Sequence, residues 1–181
     1  MNLPNKLTML RVILVPVFMV FAAYSRYGTA DFNPAFALIA GILFAAASFT
    51  DFLDGYLARK NNLVTDFGKF MDPLADKVLV LAAMCFFIEK GQMPGWAVVI
   101  VLFREFAVSG LRLIAVEQQR VIAAAWSGKI KTACTMVGLC VMLFTSHPLL
   151  NQIVTWVIVI TTLYSGIEYF YVNRDVFKNV D

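Results

Sequence analysis

Histidine and cysteine are almost missing. One histidine, His147, and three cysteines, Cys85, Cys134 and Cys140, occur in 181 residues. The cysteines are odd in number, lack Cys-x-x-Cys spacing and fall in apolar stretches, so buried free thiols are expected rather than disulfides or a zinc site. His147 sits beside Pro148 at a turn, so histidine-based catalysis has almost no material here. Charge is scarce too: Asp, Glu, Lys and Arg make up 15% of the chain, against 60% hydrophobic residues. No polar stretch is long enough to build a soluble domain, no Ser- or Pro-rich linker divides the chain, and no internal repeat is visible. A single domain over residues 1–181 is expected, with no nucleic acid among its partners.

What is present is a series of long apolar runs. A bilayer-crossing helix needs about 20 apolar residues, and six candidate spans satisfy this: 8–25, 33–58, 72–89, 95–117, 128–146 and 149–172. Gly28 with Asp31, Asn33 and Pro34, then Gly91 with Pro94 and Gly95, then His147 with Pro148, punctuate three connections on one side. With Met1 in the cytoplasm, every basic residue except Arg26 and Lys90 falls in cytoplasmic segments or the adjoining helix ends, a strong positive-inside bias. The predicted fold is all-α, a polytopic membrane bundle of six transmembrane helices, multi-pass in the cell membrane, with its cytoplasmic face carrying the site described next. Lys6 and Arg11 before an apolar run imitate a secretory signal. Thr8, Arg11 and Pro16 interrupt that pattern and no small-x-small cleavage site follows, so residues 1–7 are expected to form a short N-terminal interfacial segment.

Residues 51–76 read DFLDGYLARKNNLVTDFGKFMDPLAD, which places Asp51, Asp54, Asp72 and Asp76 in or beside apolar helical stretches. A charged side chain near the bilayer centre costs about 2.5 to 3.5 kcal/mol on insertion scales, so four carboxylates together need a compensating cation, basic partners or water. Asp51 and Asp54 are three apart, and Asp72 and Asp76 four apart. On helices each pair shares a face, and the pairs can converge across a helix contact. Oxygen-only ligands favour hard cations, so one or two Mg²⁺ or Mn²⁺ ions are expected rather than zinc or copper. Gly55 and Ala58 lie on the face of the first pair and Gly68 on that of the second. They either leave room for a bulky ligand or let the helices approach closely.

Asp51, Asp54, Gly55, Ala58, Arg59, Gly68, Asp72 and Asp76 fit the D-x-x-D-G-x-x-A-R-x8-G-x3-D-x3-D signature position for position, so this segment resembles the CDP-alcohol phosphotransferase family. The resemblance implies a six-helix membrane enzyme, usually a homodimer. Such an enzyme transfers a substituted phosphate from a CDP-linked donor to an alcohol and releases CMP. It implies that Asp51, Asp54 and Asp72 hold the metal, with Asp76 near the metal and acting as general base. Arg59 suits a phosphate oxygen or the orientation of an aspartate, and equally a positive-inside anchor. PNKLTMLR resembles the amino-terminal strip laid against the nucleotide, with Asn5, Thr8 and Arg11 recurring on one helical face; an interfacial cap with a snorkelling arginine has the same pattern.

Arg104, Arg112, Lys129 and Lys131 occupy the fourth and fifth spans, with Ser109 and Ser127 nearby, and Arg104 interrupts AVVIVLFREFAV where a charge is hard to tolerate. A cationic pocket for a phosphorylated acceptor explains them; pairing with Glu105 or Glu117 inside the bundle is the other explanation. LVPVFMV, MDPLADKVLV, FREFAVSGLR and WSGKIKTA resemble a bacterial branch of the family, the phosphatidylglycerophosphate synthases. That resemblance implies CDP-diacylglycerol and sn-glycerol 3-phosphate as substrates among membrane lipids, with Arg104, Arg112, Lys129 and Lys131 on the acceptor phosphate and Lys77 serving either substrate. A cardiolipin synthase or a phosphatidylinositol-type synthase keeps every aspartate and differs in spans four to six. A divalent-cation transporter accounts for membrane carboxylates but leaves the Gly, Ala and Arg positions unexplained.

Overall fold

The computed structural model describes the backbone of residues 3–25, 30–61, 66–120, 122, 125–145 and 147–179, and side chains there except at 3–5, 7, 51–61, 66–70, 72, 73, 76 and 177–179. The described residues form six α-helices: α1 (Leu3–Tyr24), α2 (Pro34–Asn61), α3 (Asp66–Glu89), α4 (Gly95–Glu117), α5 (Trp126–Phe144) and α6 (Pro148–Val172). A short 3₁₀ turn, Arg174–Asn179, follows α6, and no strand occurs among the described residues. The predicted interfacial segment is not a separate element, because α1 is continuous from Leu3. Pro4 does not prevent this, since a proline in the first turn removes an N–H that has no intrahelical partner.

Local chemistry sets the helix ends. Asn33 caps α2, its Oδ1 accepting from the Ala35 and Phe36 N–H groups at 3.1 and 3.5 Å, with Pro34 at the first helical position. α3 ends in a Schellman motif: Gly91 takes φ +67°, its N–H donates to the Ile88 carbonyl at 2.9 Å and the Gln92 N–H to the Phe87 carbonyl at 2.9 Å. α4 ends in the same pattern, but the left-handed position holds Gln119 at φ 57°. Its N–H donates to Val116 and that of Arg120 to Ala115.

α1 packs on α2 and α3, α5 bridges α2, α3 and α6, and α4 lies against α6 and more lightly against α3. Glycines permit two close approaches. A Cβ on Gly41 would stand 2.7 Å from the Phe144 ring, and one on Gly138 would stand 2.7 Å from Val154 Cγ1. The main apolar core joins Phe18, Phe44, Leu79, Phe87, Leu139 and Ile158, and a smaller one joins Val108, Leu111, Tyr169 and Val176.

Polarity is distributed the opposite way from a water-soluble protein. Phe103, Phe106, Trp126 and Ile167 are 69 to 76% exposed, while Thr8, Arg11, Thr162 and Ser165 are fully buried. Soluble monomers rarely present so continuous an apolar exterior, and polar residues in lipid-embedded helices turn toward the bundle interior. By length and composition, α5 and α6 are each able to cross a membrane; the apolar stretches Thr8–Tyr24 and Pro34–Thr50 of α1 and α2 are shorter. The chain is therefore an all-helical, membrane-associated protein.

Candidate active site

Successive helices run in opposite directions across short connections, which brings the starts of α1, α3 and α5 and the ends of α2, α4 and α6 to one end of the bundle. The signature lies at that end, on the last turns of α2 and the first of α3. The backbone is helical through 51–61 and 66–76, so the spacings of three and four residues act as helical spacings. The side chains of Asn5, Asp51, Asp54, Gly55, Ala58, Arg59, Gly68, Asp72 and Asp76 lie outside the described residues.

Thr8 and Arg11, one turn apart on α1, are both fully buried. The Arg11 Nε donates to the Ala47 carbonyl at 3.3 Å, tying α1 to α2 one turn before Asp51. A buried guanidinium in an apolar helix is costly unless its surroundings are polar or acidic. Arg11 is therefore a fixed feature of the interior at this end, not a snorkelling anchor.

Beside this end, α3, α4 and α5 form a cationic cluster around a single carboxylate. Glu105 Oε1 accepts from Lys131 Nζ at 2.7 Å and from Arg104 Nη1 at 3.1 Å, and its Oε2 lies 3.8 Å from Lys77 Nζ. Hydroxyls hold two of the cations a second time: Lys77 Nζ donates to Ser109 Oγ at 2.7 Å and Arg104 Nη2 to Ser165 Oγ at 2.6 Å. Ser127 Oγ lies 3.5 Å from Ser165 Oγ.

Two glycines shape the slot that Arg104 occupies. A Cβ on Gly166 would stand 3.3 Å from Arg104 Cγ, and one on Gly128 3.5 Å from its Nη2. Lys131 is buried, Lys77 half-buried, and the Arg104 Nε is buried with no hydrogen-bond partner. A cavity of about 320 Å³ opens against the cluster. Lys77, Glu105, Lys131 and Thr132 form its polar wall, and Leu74, Leu81, Val101 and Phe106 line the rest.

Of the five cations read from the sequence as acceptor ligands, the structure thus brings together Lys77, Arg104 and Lys131. Arg112 is exposed on α4; its Nε donates to Tyr169 Oη at 2.8 Å and its guanidinium lies 5.5 Å from that ring. Lys129 is exposed, 4.7 Å from the Trp126 ring centroid. Glu105 does pair with cations inside the bundle, the alternative weighed for it. Ser165 and Tyr169 were not singled out from the sequence, although a signal existed: Asn151, Thr155, Thr162, Ser165 and Tyr169 recur at helical spacing through apolar α6, and all are buried.

Known proteins place the chain in a family. The family model described as CDP-alcohol phosphatidyltransferase matches residues 1–164. A Bacillus subtilis (strain 168) protein named "CDP-diacylglycerol--glycerol-3-phosphate 3-phosphatidyltransferase" is 43% identical, covering 98% of this chain and 97% of its own. A Rickettsia bellii protein of the same name is 35% identical over 93% of each chain. A Mycobacterium tuberculosis protein named "Probable phosphatidylglycerophosphate synthase" is 38% identical over 93% of this chain and 79% of its own. With the model spanning most of the chain and the aspartate signature complete within it, the protein belongs to the CDP-alcohol phosphatidyltransferase family.

Proposed function

We propose that this protein transfers the phosphatidyl group of CDP-diacylglycerol to sn-glycerol 3-phosphate, giving phosphatidylglycerophosphate and CMP. Relatives of nearly equal length carry that activity in their names. The observation that carries the acceptor assignment is the meeting of Lys77, Arg104 and Lys131 around Glu105, with Lys77 and Lys131 lining one cavity. Three converging cations suit a phosphate, and a neutral alcohol gives no reason for them.

The donor set fits a hard divalent cation. Asp51, Asp54, Asp72 and Asp76 offer only oxygen donors, spaced three and four residues apart on helical backbone, the donor chemistry a hard cation prefers. Mg²⁺ or Mn²⁺, when bound by these aspartates, neutralises the donor diphosphate. Asp76 takes the proton of the acceptor's primary hydroxyl as its oxygen attacks the lipid-linked phosphorus; the bond from that phosphorus to the CMP oxygen breaks and CMP leaves. Arg59 steadies the diphosphate, Asn5, Thr8 and Arg11 face the nucleotide, and Gly55, Ala58 and Gly68 leave room above the carboxylates. Lys77, Arg104 and Lys131 hold the acceptor phosphate, with Arg112 and Lys129 at the exposed approach.

All six helices cross the bilayer in this reading. The exposed apolar side chains of α4 and α6 support it, as does the helical continuity of α1 and α2 through their apolar stretches. The positive-inside bias puts the site on the cytoplasmic face of the cell membrane, where a lipid donor and a water-soluble acceptor meet. The protein works as a homodimer, as the family resemblance implies.

CMP release from CDP-diacylglycerol, measured with glycerol 3-phosphate, inositol, serine or phosphatidylglycerol in turn, tests the proposal. Release is expected with glycerol 3-phosphate alone and only with Mg²⁺ or Mn²⁺ present. Equal release with inositol or phosphatidylglycerol would overturn the acceptor assignment, and full activity after chelation would overturn the metal assignment.

A further inference from the structure

Glu105 has the wrong charge to bind a phosphate, yet it sits at the centre of the cations assigned to one. It is mostly buried, and its two oxygens contact cations from three helices: Lys77 of α3, Arg104 of α4 and Lys131 of α5. Lys131 is buried as well. This is therefore not a solvent-screened surface pair but an enclosed one, in which each partner depends on the others. Without a carboxylate between them, three cations held this close in a poorly solvated site repel one another and turn toward water. The count matters too. Among the described residues the cluster holds three positive groups and one negative, a formal charge of +2, and a phosphate monoester carries about −1.5 to −2 near pH 7.

We propose that Glu105 is a positioning residue of the acceptor site, gathering Lys77, Arg104 and Lys131 into a preformed cradle whose net charge matches a phosphate monoester dianion. This deepens the acceptor reading above and rests on it. Glu105 touches no reacting atom in this account; it acts through the cations it holds. Its loss therefore registers in the acceptor's KM before it registers in kcat or in the donor's KM.

The test is steady-state kinetics of Glu105→Gln, Glu105→Asp and the wild type, with each substrate varied in turn and inorganic phosphate as inhibitor. In Glu105→Gln the KM for glycerol 3-phosphate is expected to rise about tenfold or more, as for a disrupted buried charge cluster, while the KM for CDP-diacylglycerol stays within about twofold. Inhibition by inorganic phosphate weakens in parallel, and Glu105→Asp recovers part of both effects. An acceptor KM within about twofold of wild type, or donor and acceptor KM rising together, overturns the proposal.

Should Glu105→Gln fail to fold, Glu105→Gln combined with Lys131→Met removes both charges of the closest pair and carries the test. Because Glu105 still gathers Lys77 and Arg104 when Lys131 is gone, the acceptor KM of the double variant is expected to exceed that of Lys131→Met alone by several-fold with the donor KM within about twofold, and an acceptor KM equal to that of Lys131→Met overturns the proposal. A wild type that ignores glycerol 3-phosphate sinks the acceptor reading and this inference with it; a wild type that uses it, with no split in the variants, sinks the role of Glu105 alone.

Discussion

Asp72 and Asp76 stand four residues apart on helical backbone at the start of α3, and buried Ala75 and half-buried Lys77 fill the positions beside Asp76. A general base supplies about 10² to 10⁴-fold in rate, and Asp76→Asn keeps its volume while removing its basicity. CMP release in Asp76→Asn is therefore expected to fall by at least about a hundredfold with the glycerol 3-phosphate KM nearly unchanged. A variant within a few-fold of wild type in the same assay would remove Asp76 from proton transfer. Lys131→Met is the matching case in the acceptor site. It leaves Glu105 with Arg104 and Lys77, so the glycerol 3-phosphate KM is expected to rise about tenfold or more, a loss of at least about 1.4 kcal/mol, with CDP-diacylglycerol KM as the control. Arg112→Ala makes a smaller change, because Arg112 is exposed and already held by Tyr169.

At the scale of elements, the helix ends show how far the sequence could be read and where it stopped. The run predicted over 33–58 becomes α2 from Pro34 because Asn33 spends its side chain on capping, and the Gly91, Pro94 and Gly95 punctuation becomes a Schellman turn followed by α4. Hydropathy reported α1 only from residue 8, since Asn5 and Lys6 lower the local average without breaking the helix. Nothing in one dimension marked Gln119 as left-handed. A non-glycine residue there costs roughly 1 to 2 kcal/mol, part of which glycine returns as chain entropy. Gln119→Gly is expected to stabilise the protein by about 0.5 to 1 kcal/mol, visible as a higher thermal midpoint in detergent with activity unchanged. The site was legible in the same uneven way. The aspartate signature and the charge of Arg104 in an apolar run were plain, but whether Arg104, Lys131 and Lys77 met each other, Glu105 or lipid depends on how α3, α4 and α5 are packed, which spacing along a chain does not encode.

For the whole molecule, the decisive property is which end of the bundle meets the cytoplasm. The end that carries the aspartate signature gathers the α2–α3 and α4–α5 connections, and the other end gathers the α1–α2, α3–α4 and α5–α6 connections. The exterior between them is apolar, with Phe103, Phe106 and Ile167 largely exposed, so in the proposed topology the bilayer would set the depth of the bundle and the basic residues its direction. A cysteine placed at exposed Arg120, just beyond α4, should lie in the cytoplasm, and one at exposed His147, just before α6, should lie outside. The cysteines are not the buried thiols expected from the sequence, since Cys85 is exposed near the end of α3 and Cys134 and Cys140 are half-buried in α5, so labelling by a membrane-impermeant maleimide on intact cells is read in a Cys85→Ser background. Under that reagent His147→Cys is expected to react at once and Arg120→Cys only after the membrane is permeabilised. The reverse order would turn the bundle over and put the aspartates on the side away from cytoplasmic glycerol 3-phosphate; equal labelling of both before permeabilisation would mean that α5 does not cross the membrane.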